Sequence, residues 1–284
     1  MRRSSILLLL LFLGGPGCGN DFNPRSYLSG LRVLAVRAMP PEVGPGQTAQ
    51  LDVLSVDTRG RPVDFAWAVC RLPPIPGGSS VRSECATTDT APFLEQLGGG
   101  STKAVTMPNV APTDLGPPDY TNGFYLPVRL RAETTAGDPQ RVTSIYRLRY
   151  ALGTPPNQNP RIADVAVVQD GQAVPLVEGQ PLPVRIGAKI TLRATLAAGS
   201  VETYQVYSGD PRTTPPETVT ETVSVDWFAP AGDFENNATG EAEPDNTLDL
   251  GQRPPSAGAT IDLFVMAHDE RGGIDWAHRT LVAQ

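Results

Sequence analysis

The sequence predicts an all-β protein that contains two antiparallel β-sandwiches in tandem. Three observations indicate this fold: apolar and polar residues alternate over short segments, turn residues recur about every 8–12 residues, and the same order of segments occurs twice. Gly (28) and Pro (29) are abundant, which disfavours long helices. A chain of 284 residues is long enough for two domains of roughly 110–130 residues.

The first copy of the pattern occupies residues 30–152. Each predicted strand presents every second residue to one face, and the residues that share a face are Leu31, Val33 and Ala35, then Leu51, Val53 and Ser55, then Phe65, Trp67 and Val69. A long segment follows, residues 71–123, in which "TAPFLEQLGGG" predicts a helical turn ended by Gly98. The copy closes with a hairpin, "FYLPVRLRAETTAGDPQRVTSIYRLRYAL".

The second copy occupies residues 162–284, after "GTPPNQNPR" at 153–161, which is typical of a stiff linker. Its in-phase sets are Ile190, Leu192 and Ala194, then Val223, Val225 and Trp227. Two long segments, 199–221 and 234–258, interrupt the strands, and the hairpin "TIDLFVMAHDERGGIDWAHRTLVAQ" closes the copy. Long loops on a rigid scaffold are where binding residues concentrate.

The N-terminus has the three-part layout of a secretory signal. Arg2 and Arg3 precede an apolar stretch, Ile6–Leu13, and small residues follow it. A membrane-spanning helix needs about 20 apolar residues, so this stretch is too short to span a bilayer. We therefore expect residues 1–17 to be a cleaved signal peptide and the protein to be exported.

The residues around Cys18 resemble the bacterial lipoprotein signal, in which this cysteine is acylated and becomes the mature N-terminus. The chain has Gly15 where the pattern has an aliphatic residue, three positions before the cysteine. The resemblance implies a palmitate-type lipid anchor on Cys18, a polar tether over residues 18–29, and sorting to the outer membrane because Gly19 follows the cysteine. The alternative is ordinary secretion, with Cys18 as a free thiol or disulfide partner.

The count of three cysteines supports the lipidated form. An exported protein meets an oxidising compartment, where a free thiol is a liability. If Cys18 carries lipid, Cys70 and Cys85 form a pair, and closing that loop contributes about 3 kcal/mol on the chain-entropy model. Two thiols without a nearby histidine do not complete a zinc site.

The two copies resemble immunoglobulin-like and related β-sandwich domains, with Trp67 and Trp227 in the place of the family's core tryptophan. They are also similar to the immunoglobulin-like lipoproteins predicted from myxobacterial genomes, through "CGND", "LRVLAV", "PPEVGPG" and "DLFVMAHDERGGIDW". Cys70 follows Trp67 by three positions, so it points away from the core. We expect the Cys70–Cys85 bridge on the outer face or a loop, not between the two sheets.

Charge and motifs argue against several functions. The formal charge is −7 and no basic cluster follows the leader, which argues against a nucleic-acid partner. No nucleophile elbow, phosphate-binding glycine loop or paired-histidine zinc motif occurs in the sequence. We therefore expect no catalysis, no cofactor and no metal.

The two histidines lie in the closing hairpin. A two- or four-residue turn around Arg271 and Gly272 pairs Ala267 with Trp276 and Val265 with His278. This register places His268 and His278 on opposite faces, which excludes a shared metal site. It also places Trp276 on the core face, with Ile261, Leu263 and Val265.

The segment "EAEPDNTLD" partly matches a calcium-binding loop. Glu241, Glu243, Asp245 and Asp249 occupy ligand positions, whereas Asn246 stands where such a loop has glycine. We expect a solvated acidic loop, with calcium binding as the alternative.

These observations predict a non-catalytic cell-envelope lipoprotein that serves in binding, adhesion or structure. Its expected partners are the membrane, through the lipid anchor, and an envelope protein or glycan. The alternative is a carbohydrate-binding or hydrolase-accessory protein. That function requires Tyr204, Tyr207 and Trp276 to be exposed on one face.

Overall fold

Strands dominate the structure, a computed structural model that describes residues 23–75, 81–117, 123–152, 156–206, 215 and 217–284. The predicted all-β class is confirmed. The helical segments of the described ranges are a short α-helix, α1 (Ser83–Thr87), and a 3-10 turn, Pro112–Leu115. None of these segments is long and apolar enough to cross a bilayer.

Residues 31–150 form the first sandwich. Its strands are β1 (Leu31–Met39), β2 (Glu42–Val43), β3 (Thr48–Asp57), β4 (Val63–Cys70), β5 (Leu94–Gly99), β6 (Thr102–Thr106), β7 (Tyr125–Thr134) and β8 (Arg141–Tyr150). One sheet has the order β1-β3-β6, and the other has the order β2-β8-β7-β4-β5. The pairings are antiparallel except that of the short strand β2, which runs parallel to β8. The facing side chains form one apolar core around Trp67.

Residues 162–283 form the second sandwich. Its strands are β9 (Ile162–Gln169), β10 (Gln172–Pro175), β11 (Leu182–Val184), β12 (Lys189–Leu196), β13 (Thr203–Val206), β14 (Glu217–Thr220), β15 (Ser224–Phe228), β16 (Asp233–Phe234), β17 (Ala238–Gly240), β18 (Asp245–Asp249), β19 (Thr260–His268) and β20 (Ile274–Ala283). The sheets are β10-β9-β12-β18-β16 and β11-β20-β19-β15-β17, and β13 pairs with β14 separately. The in-phase sets predicted for this half all lie in its core, around Trp227.

The two sandwiches pack face to face. The outward side of β1 and β3 lies against the outward side of β15, β19 and β20 through an apolar cluster that we call the junction cluster. Its buried members are Leu28, Ala35, Phe228, Phe264 and Met266. Because relative domain motion is the default unless an interface is extensive and apolar, this cluster disfavours independent movement of the sandwiches.

A bulge in β1 creates the outward apolar face of the first sandwich. Val33 pairs with Ser55 and Ala35 pairs with Leu54, so Leu34 is an extra residue in this strand. A bulge shifts the following side chains to the other face. Ala35 therefore joins the junction cluster, and the predicted placement of Val33 and Ala35 on one face is wrong.

The segment "TAPFLEQLGGG" contains a strand, and the predicted helical turn is wrong. Its residues Leu94–Gly99 form β5, in which Leu94 lies opposite Cys70 of β4. Pairing with β5 satisfies the backbone hydrogen-bonding groups along the edge of β4. These hydrogen bonds outweigh the local preference of the segment for a helical turn. Gly98, with φ of 84°, lies at an irregularity in the ladder opposite Trp67.

The chain that precedes β1 docks onto the second sandwich. The Leu28 N–H donates to the Ala229 carbonyl at 2.9 Å, and the Ala229 N–H donates to the Ser26 carbonyl at 3.0 Å. Ser26 and Leu28 are buried. The prediction of a polar tether up to residue 29 is therefore wrong from Arg25 onward, because Leu28 supplies an apolar contact that fixes this segment.

Candidate functional site

Of the roles predicted for the three cysteines, the disulfide is confirmed and the lipidation is not tested. Cys18 lies outside the described residues, so its lipidation stays a prediction. Cys70 and Cys85 are joined in a disulfide, as the sequence predicts. Both are buried with Leu94 in a small cluster separate from the main core, and the partly buried Ile145 packs against it. The bond fixes α1 to the end of β4 and does not join the two sheets, also as predicted.

Trp67 and Trp227 are fully buried at the centres of the two cores. The indole N–H of Trp67 donates to the carbonyl of Gly100 at 2.8 Å. That of Trp227 donates to Oγ1 of Thr239 at 2.9 Å. Both rings are satisfied structural residues, since a buried indole needs a hydrogen-bond acceptor.

The closing hairpin has a register one residue away from the predicted one. Its loop, residues 269–273, contains an odd number of residues, so Met266 pairs with Trp276 and Phe264 with His278. The two histidines consequently share the outward face, and their predicted placement on opposite faces is wrong. Phe264, which lies opposite His278, is four residues before His268, or about 13 Å along the strand. The two histidine side chains are therefore too far apart to bind one metal ion.

The aromatic residues named for carbohydrate binding do not form a common exposed face. Trp276 packs in the junction cluster with the Arg37 guanidinium 4.1 Å from its ring centroid, so its predicted place in the core of the second sandwich is wrong. Tyr204 is half-buried beside Arg271, whose guanidinium lies 4.5 Å from the ring centroid. Tyr207 lies outside the described residues.

The predicted acidic loop is partly a strand. Asn246 and Leu248 are buried in β18, and Asp245 forms two hydrogen bonds to Arg193, at 2.6 and 2.8 Å. This pairing lowers the pKa of Asp245 and engages a carboxylate that the calcium register required as a ligand. In the part of the chain that the structure describes, no group of three or more His, Cys, Asp or Glu is arranged to hold a metal ion.

The most distinctive polar feature is a buried network between the sandwiches, which we call the junction network. It begins at the hairpin loop, where Oδ1 of Asp269 accepts the backbone N–H groups of Arg271 and Gly273, both at 2.8 Å. A Cβ on Gly273 would lie 2.2 Å from Oδ2 of Asp269 and 2.9 Å from the backbone oxygen of Gln158, so a side chain here would displace the loop from the linker. The loop directs Arg271, 7% exposed, into the molecule.

Asn157 connects this loop to the first sandwich. Its side chain donates to Oδ2 of Asp269 at 3.2 Å and accepts from Nη2 of Arg271 at 2.6 Å. Its backbone N–H donates to the carboxylate of Glu42, at 3.1 Å. Only 2% of Asn157 is exposed. The segment predicted to be a linker is therefore buried between the two sandwiches at this residue.

Further hydrogen bonds cross the junction nearby. The Asn159 side chain donates to the Ala38 carbonyl and accepts the Ile274 N–H, both at 2.8 Å. Nε of Arg149 donates to the carbonyl of Arg271 at 3.1 Å. These contacts join β1 and β8 of the first sandwich to the closing hairpin of the second.

The junction network holds more carboxylates than its central guanidinium can pair. Arg271 contacts Glu202 at 3.0 Å, and its Nε faces Oε2 of Glu221 at 3.5 Å without a hydrogen bond. Burial, followed by repulsion from Asp269, raises the pKa of Glu221 to about 7. Burial also raises the pKa of Asp269. The network therefore favours a bound proton near neutral pH.

A cleft of about 420 Å³ opens beside this network between the two sandwiches. The first sandwich contributes Tyr146 and Arg147 to its wall, and the second contributes Ser224, His268 and Glu270. Hydroxyl groups, charges of both signs and the apolar side chains of Ile145 and Ile274 line it. This mixed lining is suited to a surface contact.

The residues of the junction network were not predicted from the sequence. The "DERGG" turn carries a usable signal, because an aspartate before glycines commonly accepts backbone N–H groups in a turn. Asn157 carries none, since an asparagine within "PPNQNP" reads as an exposed linker residue. Glu221 is equally ordinary in sequence, and its burial arises only from packing between distant segments.

Comparisons with known proteins give distant structural likenesses. No protein-family model and no curated protein matches the sequence. The chain is similar to three N-terminal domains of the bacteriophage RB49 Highly Immunogenic Outer Capsid protein, with 9% identity and a TM-score of 0.22 over 90% of this chain and 70% of that one.

Two larger structures give similar values. Dimeric latent PorU from Porphyromonas gingivalis has 7% identity and a TM-score of 0.22, over 90% of this chain and 24% of that chain. Native E. coli alpha-2-macroglobulin has 12% identity and a TM-score of 0.22, over 91% of this chain and 16% of that chain. TM-scores this low support no inference about the function of this protein.

Proposed function

We propose that this protein is a non-catalytic lipoprotein of a bacterial cell envelope, anchored through an acylated Cys18. It carries two immunoglobulin-like domains, residues 30–152 and 162–284, that act as one rigid binding or structural module. The observation that carries the proposal is the docking of the two sandwiches through the junction cluster and the junction network. A module that holds a partner at a fixed distance from a membrane needs such rigidity.

The perturbed titratable groups support a structural role. Glu221 and Asp269 have raised pKa values, a property that catalytic acids often share. However, the Glu221 side chain is 0% exposed and faces Arg271, while Asp269 accepts hydrogen bonds from its own loop. A general acid or base must reach the substrate. Glu221 is too buried to do so, and Asp269, which lines the cleft, is engaged by hydrogen bonds from Asn157, Arg271 and Gly273.

The packing of the aromatic rings favours adhesion or structure over carbohydrate binding. A sugar platform needs exposed, coplanar rings, and both Trp276 and Tyr204 pack against arginines at the junction. The proposed partners are therefore the membrane, through the anchor, and an envelope component that contacts the outer surface of the sandwiches.

The mass of the mature N-terminal peptide, isolated from the membrane fraction, tests the anchor. We expect a diacylglyceryl-modified peptide that begins at Cys18, and release of a Cys18→Ser variant into the soluble fraction. An unmodified peptide that begins elsewhere would show that the protein is secreted without an anchor. The proposed lipoprotein function would then fail.

A further inference from the structure

The segment that follows the anchor position is held on the edge of a sheet. Tyr27 forms a parallel bridge with Ala229, immediately after β15, and extends the edge beyond β17. The Arg25 guanidinium donates to the carboxylate of Asp226 at 3.0 Å. The path of the chain is therefore fixed from Arg25 onward.

Both sandwiches hold this segment. Leu28, 1% exposed, packs in the junction cluster between Ala35 of the first sandwich and Phe228 of the second. Arg32, in β1, donates to the carbonyls of Tyr27 at 3.3 Å and Arg25 at 3.4 Å. The chain thus leaves the molecule at the seam between the two sandwiches, not at the far end of either one.

The remaining chain gives the anchor a short reach. Seven residue steps separate Cys18 from Arg25, and an extended chain covers at most about 25 Å over that distance. A strand of ten residues such as β3 or β20 is longer, at about 33 Å. An acylated Cys18 therefore keeps the Arg25 edge close to the bilayer.

The side chains at this edge are suited to lipid headgroups. Arg25 has 65% of its side chain exposed. The guanidinium of Arg253 lies 4.9 Å from the ring centroid of Tyr27, and Arg32 completes a group of three arginines around the segment. Arg25 pairs with Asp226, which is buried beneath it, and Arg253 pairs with Asp233. Exposed guanidinium groups near a membrane attract phosphate headgroups.

We infer that the edge formed by Arg25, Tyr27, Arg32 and Arg253 faces the bilayer, and that both sandwiches lie alongside the membrane at similar distances from it. The inference rests on the proposed lipid anchor. It differs from an end-on arrangement, in which one sandwich separates the other from the membrane. A side-on module presents the outer surfaces of both sandwiches to partners in the same layer of the envelope.

Fluorescence quenching by headgroup-labelled lipids tests this orientation. The acylated full-length protein is reconstituted in vesicles of phosphatidylethanolamine and phosphatidylglycerol, with a fluorophore on one introduced cysteine. Arg59→Cys, in the turn after β3 beside the start of β1, and Gln252→Cys place the label near the proposed edge, one on each sandwich. Ala104→Cys, in β6, and Gln180→Cys, before β11, place it near the opposite edges. All four positions are exposed.

We expect stronger quenching at Arg59 and Gln252 than at Ala104 and Gln180. Insertion of a Gly/Ser segment between Asn20 and Asp21 should reduce this difference, because the tether then restricts the edge less and only the attraction of its arginines to headgroups remains. Quenching that is strong at both positions of one sandwich and weak at both positions of the other would overturn the side-on orientation. Failure of the protein to float with vesicles would instead refute the anchor, and the orientation with it.

Discussion

At the scale of single residues, the junction network concentrates charge where water is scarce. The Arg271 guanidinium lies among Glu202, Glu221 and Asp269, and the Asn157 side chain bonds both to Arg271 and to Asp269. Removing one partner from such a network is destabilising, because an uncompensated buried charge remains. We therefore expect the network to favour this one arrangement of the two sandwiches.

Glu221 makes stability depend on pH. Its pKa rises from 4.5 in the unfolded chain to about 7 in the folded protein, so the folded protein binds the extra proton between these values. The stability from this proton is complete below pH 4.5 and is lost as the pH rises through about 7. We expect Glu221→Gln to flatten the fall of Tm across this window, measured by circular dichroism.

The matched control for this experiment is Glu178→Gln, which removes an exposed carboxylate. It should reproduce the pH profile of the wild type. An unchanged profile in Glu221→Gln would contradict the assignment of a proton to the buried carboxyl.

Asn157 should contribute to stability, although it lies in the segment that was predicted to be a linker. Asn157→Ala leaves buried atoms of Asp269 and Arg271 without partners, and we expect it to lower the free energy of unfolding by about 1–3 kcal/mol. Urea denaturation measures this loss. Gln158→Ala, at an exposed neighbour, should change the free energy by less than about 0.5 kcal/mol. Equal effects of the two variants would contradict the role of Asn157.

The roles of individual residues were the hardest to predict from the sequence. Trp67 and Trp227 were predicted correctly, because large aromatic residues in alternating strands are core residues in most contexts. Asn157 and Glu221 were not predicted, because polar residues are normally exposed and only the packing of distant segments buries them here. No local pattern carries that information.

At the scale of elements, small irregularities determine which face a strand presents. The extra residue Leu34 in β1 turns Ala35 outward, and the odd-length loop at 269–273 turns Trp276 outward. Both changes bring side chains into the junction cluster. Alternation in the sequence predicts the existence of these strands, but a one-residue shift reverses every later side chain. The sequence therefore predicted strands well and their register poorly.

The disulfide should stabilise a peripheral element without organising the fold. Replacement of Cys70 and Cys85 by alanine should lower the free energy of unfolding by about 3 kcal/mol on the chain-entropy model. It should also expose the segment around α1 to limited proteolysis, because the bond fixes this helix to β4. The Cys18→Ser variant controls for loss of a cysteine elsewhere. Unchanged stability and protease resistance would show that the bond is dispensable.

At the scale of the whole molecule, the two sandwiches form a stack of sheets. An apolar junction cluster, a polar junction network and the docked N-terminal segment all lie in the seam between them. The repeated pattern in the sequence predicted the two sandwiches. It did not predict their docking, because the residues that dock them are contributed by bulges, loops and the predicted linker.

Rigid docking of the two sandwiches is the central claim, and a distance measurement between them tests it most directly. Spin labels are placed at Ala104→Cys in β6 and Lys189→Cys in β12, both exposed, in the Cys18→Ser background. Double electron–electron resonance should give a single narrow distance distribution, and Asn157→Ala should broaden it. A broad distribution in the protein with Asn157 intact would show two domains that move independently on a linker, which would contradict the rigid module proposed here.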